Sequence, residues 1–144
     1  MGKRSIFLLL LILAFILLPS CRTAVPLAPE EPMVVLLSPN DGEILGSGDV
    51  QVRIYVQNFK MVGNSSQPNK PNEGHAIYYL DVNAPLKSST PATTSPGTFV
   101  TSVETSHIWQ NVLSGQHTFT VQLVNNDNTP LNQPVTVRAN VTLK

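Results

Sequence analysis

Three histidines are the side chains with the clearest capacity for chemistry in this sequence: His75, His107 and His117. Each falls on or beside a predicted strand, and imidazoles on neighbouring strands can together bind copper or zinc. Their spacing forms neither a His-x-His nor a His-x-x-x-His pair, and a histidine at the start of a strand more commonly bonds to backbone. Two interpretations therefore stay open, a shared metal site and three separate structural or surface histidines, and the spacing favours the second.

Acid and base catalysis has weaker support. Asp49, Asp81 and Glu104 are candidate proton donors and acceptors, but no spacing pairs them. Asp81 follows a strand, where a carboxylate typically accepts hydrogen bonds from nearby amides. Ser114 stands in Leu-Ser-Gly and lacks the Gly-x-Ser-x-Gly elbow of a hydrolase nucleophile. The sequence predicts no catalytic residue, and we expect a protein that is not an enzyme.

Cys21 is the only cysteine, and the segment before it has the order of an export signal. Lys3 and Arg4 precede an apolar run from residue 6 to residue 18, which ends at Pro19 and Ser20. As a helix that run would extend about 20 Å, which is short of the roughly 30 Å hydrocarbon core of a bilayer. A cleaved signal peptide is therefore favoured over a membrane-spanning helix.

Leu18-Pro19-Ser20-Cys21 resembles the lipobox of bacterial lipoproteins. The resemblance implies cleavage between Ser20 and Cys21, a diacylglycerol on the Cys21 thiol and often an acyl group on the new amino terminus. It also implies a prokaryotic protein that is lipid-anchored on the outer side of the cell membrane or in the outer membrane. A secreted protein with a free Cys21 is the alternative, since that thiol has no partner for a disulfide.

Composition limits the partners of the part that follows. Without residues 1–20 the chain keeps seven basic and nine acidic side chains, so nothing in its charge attracts nucleic acid. Its length suits one core rather than two. Residues 22–32 contain three prolines among small residues and predict an extended tether, which at 3.1 Å per residue reaches about 34 Å. We therefore divide the chain into a signal peptide (1–20), a lipidated cysteine with its tether (21–32) and a folded domain (33–144).

Residues from Met33 onward alternate in polarity with a period of two, which predicts strands. Both faces of the segment 74–82 carry apolar residues, so this strand is expected to be central. Turn and loop residues separate the predicted strands. Seven strands are predicted: 33–38, 49–59, 74–82, 98–104, 106–112, 116–124 and 134–143.

Seven short strands and no amphipathic helix predict an all-β domain, an antiparallel sandwich of immunoglobulin or fibronectin type. The Leu-x-x-Gly-x-x-x-Phe-x-Val run from Leu113 to Val121 is similar to the turn and penultimate strand of such domains. No disulfide can cross the core, so Trp109, Phe119 and the aliphatic side chains must stabilise it.

Two segments, Gly74 to Asp81 and Gly115 to Asp127, also resemble a group of poorly characterised exported domains of bacteria and archaea. Those relatives often carry Gly-His-x-His before the Leu-Asp pair and a histidine in the later loop. This chain has Ile77 and Asn128 at those two positions. The resemblance implies an exported β domain and no established activity.

Recognition is expected at exposed rings or at loops. Tyr55 and Tyr79, together with Tyr78, are candidates for an aromatic surface that binds a carbohydrate or a protein. The alternative is that one of these rings faces the core and another caps it. The loops at 60–73 and 83–97 are the other candidates, because loops on a rigid scaffold carry recognition. We expect a membrane-anchored lipoprotein that presents a noncatalytic binding or structural module and needs no cofactor. The alternative is a periplasmic or surface protein that binds copper or zinc through histidines.

Overall fold

The computed structural model describes residues 30–63 and 68–144. These residues form strands, turns and loops, and no helix occurs among them. Nine strands are present: β1 (Met33–Ser38), β2 (Ile44–Leu45), β3 (Gly48–Gln57), β4 (Lys60–Met61), β5 (Glu73–Leu80), β6 (Phe99–Ser102), β7 (Ser106–Val112), β8 (Gly115–Asn125) and β9 (Pro130–Leu143).

The strands form two sheets. A three-stranded sheet has the order β1-β3-β7, and a larger sheet has the order β2-β9-β8-β5, with β4 and β6 both pairing with the far edge of β5. All pairings are antiparallel except those of the two-residue strands β2 and β4. The prediction of an immunoglobulin-like or fibronectin-like β-sandwich is confirmed.

One core lies between the sheets. The alternating residues of β3 that were predicted to share a face, Val50, Val52 and Ile54, are at most 3% exposed. They pack with Trp109 of β7 and, from the larger sheet, with the inward side chains of β8 that begin at Phe119. The period-two pattern of the sequence thus produces the observed packing.

The larger sheet also buries part of its outer face. Ile77 and Tyr79 of β5 and Val124 of β8 form a second apolar cluster with Ala92, which lies in the segment between β5 and β6. All four side chains are fully buried. The prediction that β5 is central is confirmed, and the loop at 83–97 covers the sheet where the sequence suggested an open recognition loop.

Strand boundaries differ most where pairing is short or irregular. The predicted strands 33–38 and 106–112 are confirmed at both ends. β9 begins at Pro130 rather than 134, and the two-residue strands β2 and β4 were not predicted. Pairs of two residues depend on the neighbouring strand and leave no periodic pattern in the sequence.

The predicted signal peptide, the predicted cleavage site at Ser20 and Cys21, and most of the predicted tether lie outside the described residues. Within residues 30–63 and 68–144, no helix has the length and apolarity needed to cross a bilayer.

Candidate functional site

A polar cleft lies at one end of the sandwich and has a volume of about 430 Å³. Three parts of the chain form it: the segment that leads into β1, the loop before β5, and the start of β9 with the end of β8. We call it the polar cleft. Its lining comprises Glu31, Pro32, Asn69, Lys70, Pro71, Asn72, Asn125, Leu131, Asn132, Gln133 and Val135.

Hydrogen bonds fix the loop before β5 against the β8–β9 turn. The Asn126 side-chain amide donates to the Pro68 carbonyl oxygen at 3.2 Å, and the Asp127 backbone amide donates to Asn69 Oδ1 at 3.2 Å. Asn126 is fully buried, so its contact is shielded from water. One wall of the polar cleft is therefore built by contacts between residues 58 positions apart.

Asp127 stabilises the turn itself. Its Oδ1 accepts hydrogen bonds from the Thr129 backbone amide at 3.0 Å and from the Thr129 hydroxyl at 2.7 Å. Desolvation opposes ionisation of Asp127, but the hydrogen bonds from Thr129 and Asn69 outweigh it and lower the pKa of this carboxyl. The turn thus keeps a carboxylate beside the cleft wall.

Two asparagines hold the segment that leads into β1. Asn58 Nδ2 donates to the Glu31 carbonyl oxygen at 3.2 Å, and Asn72 Nδ2 donates to the Glu30 carbonyl oxygen at 3.0 Å. Asn58 and Asn72 have φ values of 57° and 56°, in the left-handed region that asparagine tolerates better than most residues. The start of the folded domain is therefore attached to the same end as the polar cleft.

Charged side chains flank this end. Glu73 lies 3.0 Å from Lys60 Nζ and 3.7 Å from Lys70 Nζ, and the hydrogen bond from Lys60 lowers the pKa of the Glu73 carboxyl. Both lysines are well exposed, so they remain accessible to a negatively charged group. Glu31 supplies an acidic group in the lining.

Side-chain amides are the commonest polar groups in the lining of the polar cleft, which also contains Pro32, Pro71, Leu131 and Val135. The amides of Asn132 and Gln133 are exposed and make no side-chain hydrogen bond to any described residue. Each offers a donor and an acceptor, which is the pattern of a peptide group. None of the lining residues given above is aromatic.

The three predicted metal ligands do not converge. His75 pairs with Val124 on β8, and His117 lies seven residues earlier on that strand, a separation of roughly 23 Å at 3.3 Å per residue. His107 belongs to the other sheet and packs against Tyr78, on the face of β5 opposite to His75. No group of three metal-binding side chains occurs in the described part of the chain.

His75 is buried in the larger sheet. Its side chain is 1% exposed, and its Nε2 lies 2.9 Å from Asn128 Oδ1. Because an amide oxygen can only accept a hydrogen bond, Nε2 carries the hydrogen. Nδ1 is buried without a hydrogen-bond partner among the described residues. Burial lowers the pKa of His75, which favours the neutral ring. Asn128 is the bonded partner of His75, and Ile77 is the neighbour of His75 on the same face of β5.

The other two histidines also make structural contacts. His107 packs between the rings of Tyr78 and Trp109, with centroid distances of 5.6 and 4.9 Å, and burial lowers its pKa. His117 Nδ1 lies 2.7 Å from Asp81 Oδ2, and its Nε2 lies 2.9 Å from the Leu113 carbonyl oxygen. Both ring nitrogens of His117 are therefore engaged.

The two tyrosine candidates have different outcomes. Tyr79 is fully buried, and its hydroxyl lies 2.6 Å from the Ala92 carbonyl oxygen and 2.9 Å from Gln122 Oε1. The expectation that Tyr79 contributes to a binding surface is wrong, because the segment between β5 and β6 covers it. Tyr55 is 53% exposed on the outer face of the three-stranded sheet.

The candidate carboxylates lie in separate places. Asp49 Oδ1 accepts a hydrogen bond from the Asn111 backbone amide at 3.1 Å, and Asp81 Oδ1 accepts one from the Thr118 backbone amide at 2.8 Å. Glu104 contributes its carbonyl oxygen to the Tyr78 hydroxyl. Each contact connects strands or loops, as a structural role requires.

Of the three parts of the polar cleft, only the loop at 60–73 is predicted from the sequence as a recognition site. The consecutive residues Asn125, Asn126 and Asp127 were the available signal, since such residues favour turns with bonded side chains. Their bonding partners could not be identified, because they lie far away along the chain.

No family model matches the chain, and no curated protein matches it. Among solved structures, the chain is similar to fibronectin(III)-like modules of Clostridium thermocellum CbhA, with a TM-score of 0.46 and 13% identity over 79% of this chain and 47% of that one. It is also similar to an engineered protein, with a TM-score of 0.44 and 15% identity over 81% of this chain and 21% of the other. The chain thus spans about half of the first structure and about a fifth of the second.

Proposed function

We propose that this protein is a lipid-anchored extracytoplasmic lipoprotein whose β-sandwich is a noncatalytic binding module, and that the polar cleft binds an extended peptide segment of another protein. The observation that carries the proposal is the construction of the cleft. Its walls are fixed by hydrogen bonds between distant residues, while the amides of Asn132 and Gln133 remain exposed. A concave surface of this volume that combines apolar side chains with a few unbonded polar groups is the form that binding sites usually take.

A peptide fits the chemistry of the lining better than a sugar does. Asparagine and glutamine amides can pair with the donor and the acceptor of a peptide backbone at once. Binding of a sugar face would use an aromatic ring, and the described lining contains none. Lys70 and Glu31 add one charge of each sign, which suits a polar segment with mixed charges.

Anchoring follows from the leader and Cys21. Two or more acyl chains give stable attachment to a bilayer, whereas one chain gives marginal binding. Glu30 is nine residues after Cys21, so the described domain begins within about 30 Å of the lipid at full extension. The polar cleft includes Glu31 and Pro32, so a ligand would bind near the membrane.

A noncatalytic role is supported by the separation of the chemically capable groups. Asp49, Asp81 and His117 each bond to backbone or to one another in strand-joining contacts. Metal handling, the alternative hypothesis, has no comparable support, because the three histidines occupy separate parts of the fold.

Intact-mass analysis of the purified protein tests the anchor. We expect a chain that begins at Cys21 and carries the added mass of a diacylglycerol, with or without a further acyl group. A retained leader, or an unmodified Cys21, would contradict the lipoprotein part of the proposal. Repeating the measurement with copper or zinc tests the metal alternative in the same instrument.

Peptide selection tests the polar cleft. The lipidated protein in detergent micelles is screened against a displayed library of random peptides and, in parallel, against a glycan array. We expect enriched peptides whose binding is lost in the Asn132→Ala/Gln133→Ala variant and kept in Thr136→Ala, which changes an exposed residue of the same strand outside the lining. Enrichment of glycans alone would overturn the choice of a peptide, and enrichment of neither would overturn the binding role.

A further inference from the structure

The three-stranded sheet exposes apolar side chains on its outer face. Met33, Val35 and Leu37 of β1, Tyr55 of β3 and Ile108 of β7 are between 40% and 53% exposed. We call these five residues the apolar face. They account for most of the large exposed hydrophobic residues in the described chain; the others are Ile44, Leu86, Val103 and Leu113.

Strand register places four of these residues together, along β1 and beside it on β3. Val35 pairs directly with Tyr55, and Met33 lies two residues before Val35 on the same face of β1. Leu37 is exposed at the irregularity in pairing between Leu36 and Ser38. Ile108 pairs with Gln51 on the other side of β3, so Gln51 and Arg53 separate it from the other four. The alternate residues of β1 and β3 face the core, so the outward positions are not needed to fill it. Contiguous exposed apolar surface of this kind marks an interaction site.

Charge is sparse on the same face. Arg53 is the one basic residue of these three strands, and it is exposed between Gln51 and Tyr55 on β3. Asp49 is their one acidic residue, and its carboxylate bonds to the Asn111 amide at the end of β7. Glu104 lies before the start of β7. Apolar side chains thus line the β1 side of the face, and a single cation lies beside them among the polar outward residues of β3.

The position of the anchor indicates what covers this face. The first residue of the face, Met33, is twelve residues after Cys21, so the acyl chains attach within about 40 Å of it at full extension. A short tether raises the local concentration of the attached surface to roughly the millimolar range, so a weak contact is sufficient to hold it. The tether therefore brings the apolar face and a lipid surface together before any other partner.

We propose that the apolar face lies on the lipid bilayer and orients the domain at the membrane. Met33, Val35, Leu37 and Ile108 contact the acyl region, Tyr55 takes the interfacial position that aromatic side chains favour, and Arg53 contacts lipid phosphates. This inference rests on the proposed lipid anchor. The domain then lies along the membrane, with the larger sheet directed away from it.

Fluorescence depth measurements on the lipidated protein test the orientation. An environment-sensitive dye is attached to the new thiol of Leu37→Cys and, in the matched control, to that of Thr136→Cys on the larger sheet. Cys21 does not react with the dye, because its sulfur is already in a thioether. The proteins are placed in vesicles of phosphatidylethanolamine and phosphatidylglycerol that contain brominated acyl chains. We expect a blue shift and bromine quenching of the label at 37, and neither at 136. Adding Val35→Glu to Leu37→Cys should abolish both signals while the circular dichroism of the fold is kept.

Three results would overturn the inference. If the label at 37 has the same emission and the same lack of quenching as the label at 136, the apolar face is in water. If bromine still quenches the label at 37 in the Val35→Glu variant, the dye itself has entered the bilayer and the face has not. A second copy of the chain covers the face if the label is shielded from iodide but is not quenched by bromine. In that case the shielding should increase with the protein-to-lipid ratio. Acylation of Cys21 is read separately by mass, so loss of the anchor and failure of the orientation are distinguishable.

Discussion

Gly74 lies where β5 passes closest to β8. A Cβ atom at this position would overlap the Val124 carbonyl oxygen and would lie 3.0 Å from Cζ of Phe59. The carbonyl oxygen belongs to the backbone of a buried strand and cannot move without disturbing the pairing of β5 with β8. Position 74 therefore requires glycine because of space.

We expect Gly74→Ala to lower the free energy of unfolding by about 3 kcal/mol, since overpacking against a fixed backbone forces the strands apart. Urea unfolding measures the change. Gly46→Ala is the matched control, because a Cβ at Gly46 meets nothing within 4 Å and its φ is not positive. Equal stability of the two variants would contradict the close approach of β5 and β8.

His75 and His107 give the fold a dependence on pH through their burial. The pKa of each is lowered from the ordinary value of 6.5, mainly by desolvation. Below 6.5 the unfolded chain binds protons that the folded chain does not yet bind. Stability is therefore fully present above pH 6.5 and falls as the pH decreases from 6.5 towards the folded pKa.

We expect the free energy of unfolding to decrease below pH 6.5 by at most about 1.4 kcal/mol per pH unit for each of these histidines. His75→Gln retains an amide hydrogen for Asn128 and should reduce the slope, whereas Thr136→Ala should leave it unchanged. The measurement is urea unfolding at a series of pH values from 5 to 8. If the free energy of unfolding depended on pH equally in His75→Gln and in the unchanged protein, His75 would not be the titrating group.

At the scale of elements, the segment between β5 and β6 is held to the sheet by a small number of polar contacts. The Tyr79 hydroxyl lies between the Ala92 carbonyl oxygen and Gln122 Oε1, and Gln122 Nε2 donates to the Pro85 carbonyl oxygen at 2.9 Å. The Ala92 amide donates to the Asn128 carbonyl oxygen at 2.7 Å. Burial raises the pKa of Tyr79, so this hydroxyl stays a donor throughout the physiological range.

We expect Tyr79→Phe to destabilise the protein by about 1–3 kcal/mol, since it leaves buried acceptors without their donor. The loss should be concentrated in the segment between β5 and β6, and hydrogen exchange at the Ala92 amide should accelerate more than exchange in β3. Tyr55→Phe removes a hydroxyl from an exposed ring and serves as the control. Uniform acceleration across all strands would indicate that the segment does not open independently.

The sequence predicted the long strands because their inward side chains recur every second residue. β3 shows this most clearly, with Val50, Val52 and Ile54 buried as expected. The start of β9 was missed because prolines at 130 and 134 argue against a strand. They are tolerated where the register between β8 and β9 shifts, next to Leu123 and Val124.

The candidate site was less predictable than the fold. Tyr79 is buried because a loop of polar and proline residues packs over it. The composition of that loop does not indicate where the loop packs. The polar cleft depends on the contacts of Asn126 and Asp127 with residues 58 positions away, and one sequence holds no record of such pairings. The three histidines were correctly placed on strands, but their separation follows from register and from sheet order.

At the scale of the whole molecule, the two sheets share one core and should unfold as a unit. Val52 of the small sheet is 1% exposed and Phe119 of the large sheet is fully buried, and both belong to the same cluster of side chains. Neither sheet buries its inner face without the other. The interaction between sheets is therefore expected to dominate the stability of the domain.

We expect Val52→Ala, a change in the three-stranded sheet, to lower the free energy of unfolding by about 2 kcal/mol through lost burial and an unfilled cavity. Because unfolding is shared, exchange of the slowest amides in β8 should accelerate about 5- to 30-fold, although β8 belongs to the other sheet. Val35→Ala makes the same chemical change in the same sheet at an exposed position, and should shift stability by no more than about 0.5 kcal/mol. If exchange in β8 were unchanged in Val52→Ala while β3 exchanged faster, the sheets would be separate units and the single shared core would be refuted.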